Sequence, residues 1–503
     1  MSLRDAVRGG TQLSEEPAIN GGSSGPGGGK VRPTQANSLA AFKVPLAALV
    51  GVLVALARPG ADALSLSAVA LLPLAALVLA GPARAATVAT GLGYVAALVW
   101  AYTSYISPVF AYDGLIDARP SSSATLLVAV LAVLPAMWLP LSAVRPSTVV
   151  LWSLYVLGYV PAMVVPLFVQ GDLEAILPFH VALVGSMATT ALILRMPPPP
   201  IPLPHLSVRA WTRLVLCLGV LCCLYILATF GFRSSLPSLG DVYDTRAAFT
   251  TAVGAAAGAG YVTFWAANAI NPLLMTLGLA RSRADLLMLG LLGQLVIYSV
   301  TGLKSVLFSI LLVPLVYYAV SNASRLFGLL ATAMGPVILV GASLLPLGSL
   351  WPLALANRTL VTPGQIGGYY FEFFSVHPQY HLSHSFLGWV FPRVYAQEPP
   401  LVIGAAYFPE TTPNANANMW ADAFANFGFG GIVVFTVVLG LVLWITDGLG
   451  RGRDARVAAP MLAIAGLSLA NGALFTTVLT GGLAVGCALI ALMPPVVRQT
   501  ESG

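Results

Sequence analysis

The chain has 503 residues, of which 58% are hydrophobic and only 8% charged, with a mean hydropathy of +0.86. A soluble globular domain carries about 25% charged residues, so this composition excludes one and points to a polytopic membrane protein. The net charge of +6 includes no basic patch with interleaved aromatics on a soluble face, which argues against a nucleic-acid partner.

In chain order, residues 1–38 are polar and rich in Gly and Ser around Gly21–Gly29. They cannot bury enough apolar surface to order themselves, and are read as a disordered cytoplasmic tail. They are no secretory signal, since the apolar run begins too late. Fourteen mainly apolar runs follow, at 44–57, 63–81, 87–111, 123–143, 147–169, 175–194, 214–231, 259–280, 285–301, 305–320, 326–353, 427–446, 458–475 and 479–495. Most approach the roughly 17–25 residues that cross a bilayer as helix. Helices are expected because a lipid-exposed backbone must satisfy its own hydrogen bonds. Cys217, Cys222, Cys223 and Cys487 lie inside these runs as small apolar residues, suggesting neither a disulfide framework nor a zinc motif.

The expected fold is therefore all-α, a polytopic transmembrane bundle of about fourteen spans. Transmembrane helices occupy 39–195 and 214–353, separated by a Pro-rich cytoplasmic linker at 196–213 with the stiff run Pro197–Pro204. A large extracytoplasmic loop, 354–426, lies between the eleventh and twelfth spans, and C-terminal helices fill 427–503. With both termini cytoplasmic, 17 of the 24 basic residues fall inside and 7 outside, whereas eleven of the eighteen acids fall outside. That asymmetry follows the positive-inside rule and sets the loop outward. No internal repeat relates the two halves, which counts against a secondary transporter.

The polar residues concentrate downstream of the linker. The outer segment Gly240–Arg246 holds Asp241, Tyr243, Asp244 and Arg246, which suit a sugar and an anion together or a plain interfacial anchor. Lys304, in Thr301-Gly-Leu-Lys304-Ser305, either snorkels to the outer interface or points into the bundle, where a helix N-terminus beside it would attract phosphate. In the large loop, His377, His381 and His384 have i, i+4, i+7 spacing, but Pro378 disturbs any helix through them. Proton transfer or substrate hydrogen bonding is thus favoured over a metal. Arg358 and Arg393 are read as phosphate clamps or as partners of Glu372, Glu398 and Glu410. At the loop's end, Asn414, Asn416 and Asn418 precede Trp420, Asp422, Phe424 and Asn426. A helix there would carry a polar stripe beside an aromatic one, suited to sugars or to the membrane interface.

Asp244–Arg246, Thr301–Ser305, His384-Ser385-Phe386 and above all Asn416-Ala-Asn418…Trp420-Ala-Asp422-Ala-Phe424-Ala-Asn426-Phe427-Gly428 resemble the bacterial oligosaccharide repeat unit polymerases, the Wzy or O-antigen polymerase type, over residues 210–495. The resemblance implies a metal-independent glycosyltransferase of the bacterial inner membrane that needs no cofactor. It would transfer a glycan from undecaprenyl pyrophosphate to another lipid-linked repeat unit on the outer face. A flippase and a chain-length regulator would be its candidate partners besides membrane lipid. The transfer needs cations for the leaving pyrophosphate, for which Arg246, Lys304, Arg358 and Arg393 are candidates. It also needs a base for the acceptor hydroxyl, with His384 or Asp422 ahead of Asp244 and Glu410. Tyr243, Asn416, Asn418, Trp420 and Asn426 would orient sugars. Two other classes remain open: a lipid-linked oligosaccharide flippase or transporter, and a transferase using a polyprenyl-phosphate sugar. Enzymes of the last kind place an acid in the first outer loop, where this chain has only Asp62 beside Arg58.

Overall fold

The computed structural model describes residues 81–202, 204–231, 237, 242–256, 258–344, 351–385, 388–411 and 413–496. The tail 1–38, the runs 44–57 and 63–81 (save Gly81), and Asp241 lie outside the described residues, as do the side chains of Tyr243 and Asp244. Among the described residues every regular element is helical. Nine continuous helical stretches there are long and apolar enough to cross a membrane, and two shorter apolar ones accompany them.

The elements that build the bundle are α1 (Pro82–Asp113), α2 (Ser122–Met137), α3 (Pro146–Gln170), α4 (Leu173–Arg195) and α5 (Val208–Phe230). A short helix α6 (Val242–Ala255) leads to α7 (Ala259–Ala280) and α8 (Ala284–Thr301). The stretch Lys304–Ser343 passes through a 3₁₀ turn at Ser324–Leu326, which divides it into α9 (Lys304–Ala323) and α10 (Phe327–Leu344). The predicted outer loop is itself largely helical, with α11 (Thr362–Val376) and α12 (Pro399–Tyr407). Helix α11 continues a helical run over 351–376 that is not among the apolar candidates for a span, and α12, at 9 residues, is too short to cross a hydrocarbon core about 30 Å thick. Last come α13 (Met419–Leu449), α14 (Ala455–Asn471) and α15 (Leu474–Leu492), the last interrupted at Thr480–Gly482.

Helix α3 is the axis. It is apolar on all sides, and 94% of its span is buried, against 17% for α5 at the periphery. A helix without a polar face needs neighbours all round, and α2, α10, α11, α13 and α14 supply them. The closest approach is made by α11, where a Cβ on Gly364 would stand 2.3 Å from the Pro161 carbonyl oxygen. Such small-residue contacts let membrane helices gain dispersion energy that larger side chains forfeit. Gly364→Ala is expected to push α11 off α3 and to cost about 1–3 kcal/mol. Thermal unfolding in detergent measures this, and an unchanged midpoint would contradict the packing.

Arginines from the predicted inner side tie one end of the bundle together. Arg84 donates to Ala136 O and Leu139 O, Arg195 to Trp138 O and Arg145 to Leu194 O. These are carbonyls at or near helix ends, where cations are favoured. Arg145 also lies 3.9 Å from Asp447, whose buried carboxylate accepts from the Ser147 N–H and hydroxyl at the start of α3.

Candidate active site

The segment Asn416–Gly428 folds as a helix that breaks. Asn418 caps it, its side-chain oxygen accepting from Trp420 N–H and Ala421 N–H. The first part of α13 ends where Phe427 and Gly428 leave helical geometry, Gly428 at φ +60° and ψ −144°. Beyond the break the chain folds back closely, and a Cβ on Gly431 would meet the Ala423 carbonyl oxygen at 2.0 Å. Glycine is the residue suited to both positions.

A break inside a helix strands backbone carbonyls, which must find other donors. Here the turn after α11 supplies them: Tyr380 N–H donates to Ala425 O and His381 N–H to Asn426 O. Asn426 joins the same contact with both ends of its amide. Its oxygen accepts from Leu382 N–H at 2.8 Å, and its nitrogen donates to the carbonyl and carboxylate of Asp422 at 2.9 and 3.2 Å. A second discontinuity faces the first. Between α14 and α15 the chain is non-helical at Gly472 and Ala473, and the Leu474 N–H bonds to Asp422.

Around these broken ends lies a cavity of about 680 Å³. One part of its wall is cationic. Arg246 comes from α6, Lys304 opens α9, and Arg358 sits in the π-helical turn Asn357–Val361 ahead of α11. Arg246 Nε reaches Gly302 O at 3.4 Å, where Gly302, at φ +60°, turns α8 into α9. The electrostatic neighbourhood of Lys304 includes Arg246 and Arg358, and Asp113 is within electrostatic reach of Arg358. The rest of the polar wall is suited to hydroxyl-rich ligands and includes Asp422, Asn426, Asn416, His384, Tyr370, Tyr380, Glu398, Ser468 and Asn471. The apolar part includes Phe264, Phe308, Leu355 and Phe475.

His384 Nε2 lies 2.8 Å from the Tyr395 carbonyl oxygen. A carbonyl only accepts, so Nε2 carries the proton and Nδ1 is left as the basic nitrogen of the neutral ring. Burial pushes the Tyr370 hydroxyl well above its ordinary range, with Asp422 and Tyr380 adding to the effect. Burial does the same to Tyr380, reinforced by Tyr395 and Glu398. Both phenols therefore stay protonated near neutrality and act as donors, Tyr370 to Ala415 O and Tyr380 to Gln397 O.

The cavity thus gathers Arg246, Lys304, Arg358, His384, Asn416, Asp422 and Asn426 from the residues singled out in the sequence. It is not lined by Arg393 or Glu410, both exposed on the segment predicted to face outward. Trp420 is fully buried, its indole N–H donating to Ser186 Oγ, and Asn418 is buried as a helix cap. The three histidines do not share a helix face. Helix α11 ends as the chain reaches Pro378, His377 stacks on Phe373, and His381 turns at φ +50°. The cavity adds Tyr370, Tyr380, Ser468 and Asn471, each of which reads in the sequence as an ordinary interfacial or helix-end residue, and Glu398, which the sequence suggests only as an arginine partner. Asn426→Ala would orphan the Leu382 N–H and is expected to cost about 1–3 kcal/mol. Hydrogen exchange over residues 378–397 should rise, and unchanged protection would remove Asn426 from this positioning role. Comparison with family models, with curated proteins and with solved structures returned no match.

Proposed function

We propose that the chain is a glycosyltransferase that polymerises undecaprenyl-pyrophosphate-linked oligosaccharide repeat units on the outer face of the bacterial inner membrane, within a bundle of about fourteen spans. One observation carries the reading: Arg246, Lys304 and Arg358 line the same cavity as Asp422, His384 and a set of amide and hydroxyl groups. Such a transfer breaks the bond between the anomeric carbon and the pyrophosphate oxygen, which keeps the electron pair. The acceptor hydroxyl forms the new glycosidic bond and loses its proton. In this reading the three cations meet the charge growing on the pyrophosphate. Asp422 takes the proton, with His384 Nδ1 as the other available base. Asn416 and Tyr370 hold sugar hydroxyls.

The test is the glycan profile of cells lacking the protein, complemented with wild type, Arg358→Ala or His384→Ala. Single repeat units surviving without long polymer, and restored to polymer by wild type alone at equal membrane levels, would support polymerisation. Repeat units accumulating on the cytoplasmic face would instead support a flippase. One observation favours that second reading: two discontinuous helices meet at Asp422, an arrangement that transporters use around their substrates.

A further inference from the structure

The loop that carries His384 is closed at its base. Tyr380 and Tyr395 stack with ring centroids 4.6 Å apart. Each hydroxyl bonds across the neck, Tyr380 to Gln397 O at 2.9 Å and Tyr395 to Pro378 O at 2.7 Å. A segment of this length with its ends held together is an Ω-loop, a compact surface unit. One side of it, through Leu382, His384 and Ser385, lines the cavity. Its tip presents apolar side chains: Trp389 is 84% exposed and Val390 49%, with Arg393 exposed beside them.

The level of that tip is set by α13. Beyond the break, α13 exposes Phe429, Val433, Val434, Val437, Leu441 and Ile445, largely at three- and four-residue spacing, a stripe suited to lipid. Phe429 is the outermost member of the stripe. Phe427, two residues earlier, packs edge-on against Phe391 of the loop at 6.4 Å. Trp389 is two residues from Phe391, so its backbone lies within about 7 Å of that of Phe391. The exposed tip therefore lies close to the break in α13 at which the exposed stripe begins. Tryptophan beside arginine is a pairing suited to the headgroup boundary, where the ring sits against acyl chains and the cation against phosphates.

We propose that the Trp389–Arg393 tip docks into the outer-leaflet interface of the bilayer, so that the Ω-loop is held by lipid at its tip and by α13 at its base. His384 is then carried on a membrane-anchored element. The inference requires that the chain crosses a membrane and does not depend on the chemistry performed in the cavity.

A nitroxide attached at Trp389→Cys, in the full chain freed of its four native cysteines and reconstituted in vesicles of phosphatidylethanolamine and phosphatidylglycerol, tests it by collision accessibility. The expected label is accessible to oxygen and protected from a water-soluble nickel chelate, closer to a label at Val433→Cys than to one at Glu410→Cys. A label as open to the chelate as Glu410→Cys, or shielded from both reagents by protein, would overturn the proposal. If the cysteine-free chain does not fold, a benzophenone amino acid at position 389 of the native chain tests the same contact. Phospholipid adducts on irradiation would support docking; their absence, with adducts still formed from position 433, would overturn it.

Discussion

On the proposed polymerase reading, replacing Asp422 by Asn is expected to slow polymer formation by about 10²–10⁴-fold, while leaving the chain folded and at its normal level in the membrane. Asp422 is the carboxylate at which the two broken helices meet, held by Asn426 Nδ2 at 3.2 Å and by the Leu474 N–H, and it lines the cavity. Asparagine has the same shape and keeps an oxygen for Leu474. It cannot take a proton, and its own amide nitrogen then competes with that of Asn426. Asp422→Glu keeps the carboxylate but moves it by a methylene, and is expected to recover only part of the activity. The decisive readout is polymer formed per unit of membrane protein, alongside thermal unfolding in detergent. Normal polymer from Asp422→Asn would remove it as the base and leave His384 in that role. A lost unfolding transition would mean that Asp422 acts as the lock between α13 and α15.

The second large effect is expected at the cationic wall. Arg358→Ala should slow transfer by about 10²–10³-fold, the usual consequence of removing one preorganised donor from developing charge. Arg358 is exposed to the cavity from a π-helical turn, and Asp113 lies within its electrostatic reach. Lysine at 358 preserves the charge but not the planar two-point contact with phosphate, so Arg358→Lys should fall between wild type and alanine. Lys304→Met should act on the same step. Because Lys304 and Arg358 share one electrostatic neighbourhood, the double variant is expected to lose less than the product of the single losses. Full activity in Arg358→Ala would separate the cations from the reaction. An equal loss in Arg358→Lys and Arg358→Ala, with a lowered unfolding midpoint, would assign Arg358 to packing with Asp113.

Part of this site was legible in the sequence because short-range spacing already constrains it. The four-residue step from Asp422 to Asn426 places both on one helix face, and Asn426 does reach Asp422. The Gly302–Lys304 turn is likewise local, with glycine at positive φ closing α8 just before α9 begins. The same local reasoning could not tell that Trp420 faces Ser186 in the protein interior rather than a ligand, since both faces of that helix carry residues suited to either role. Nor could it tell that the amide of Asn426 is used up by Asp422 and the Leu382 N–H, because Leu382 comes from a turn 44 residues earlier in the chain. Pro378 already argues in the sequence against a helix through the three histidines, and α11 does end as the chain reaches it.

The class of protein is written in local chain properties: helices long and apolar enough to cross a membrane, and a polar segment set apart from them. Those are properties of contiguous residues, since a helix closes its hydrogen bonds within four positions and apolar length is counted along the chain. Which polar residues share a cavity follows from packing instead. Arg246, Lys304, Arg358, Asp422 and Asn471 are far apart in sequence and line one cavity beside the breaks at Phe427–Gly428 and Gly472–Ala473. Their stranded backbone groups must be capped by whatever packs against them, and that packing is a property of the whole bundle around α3 rather than of any segment.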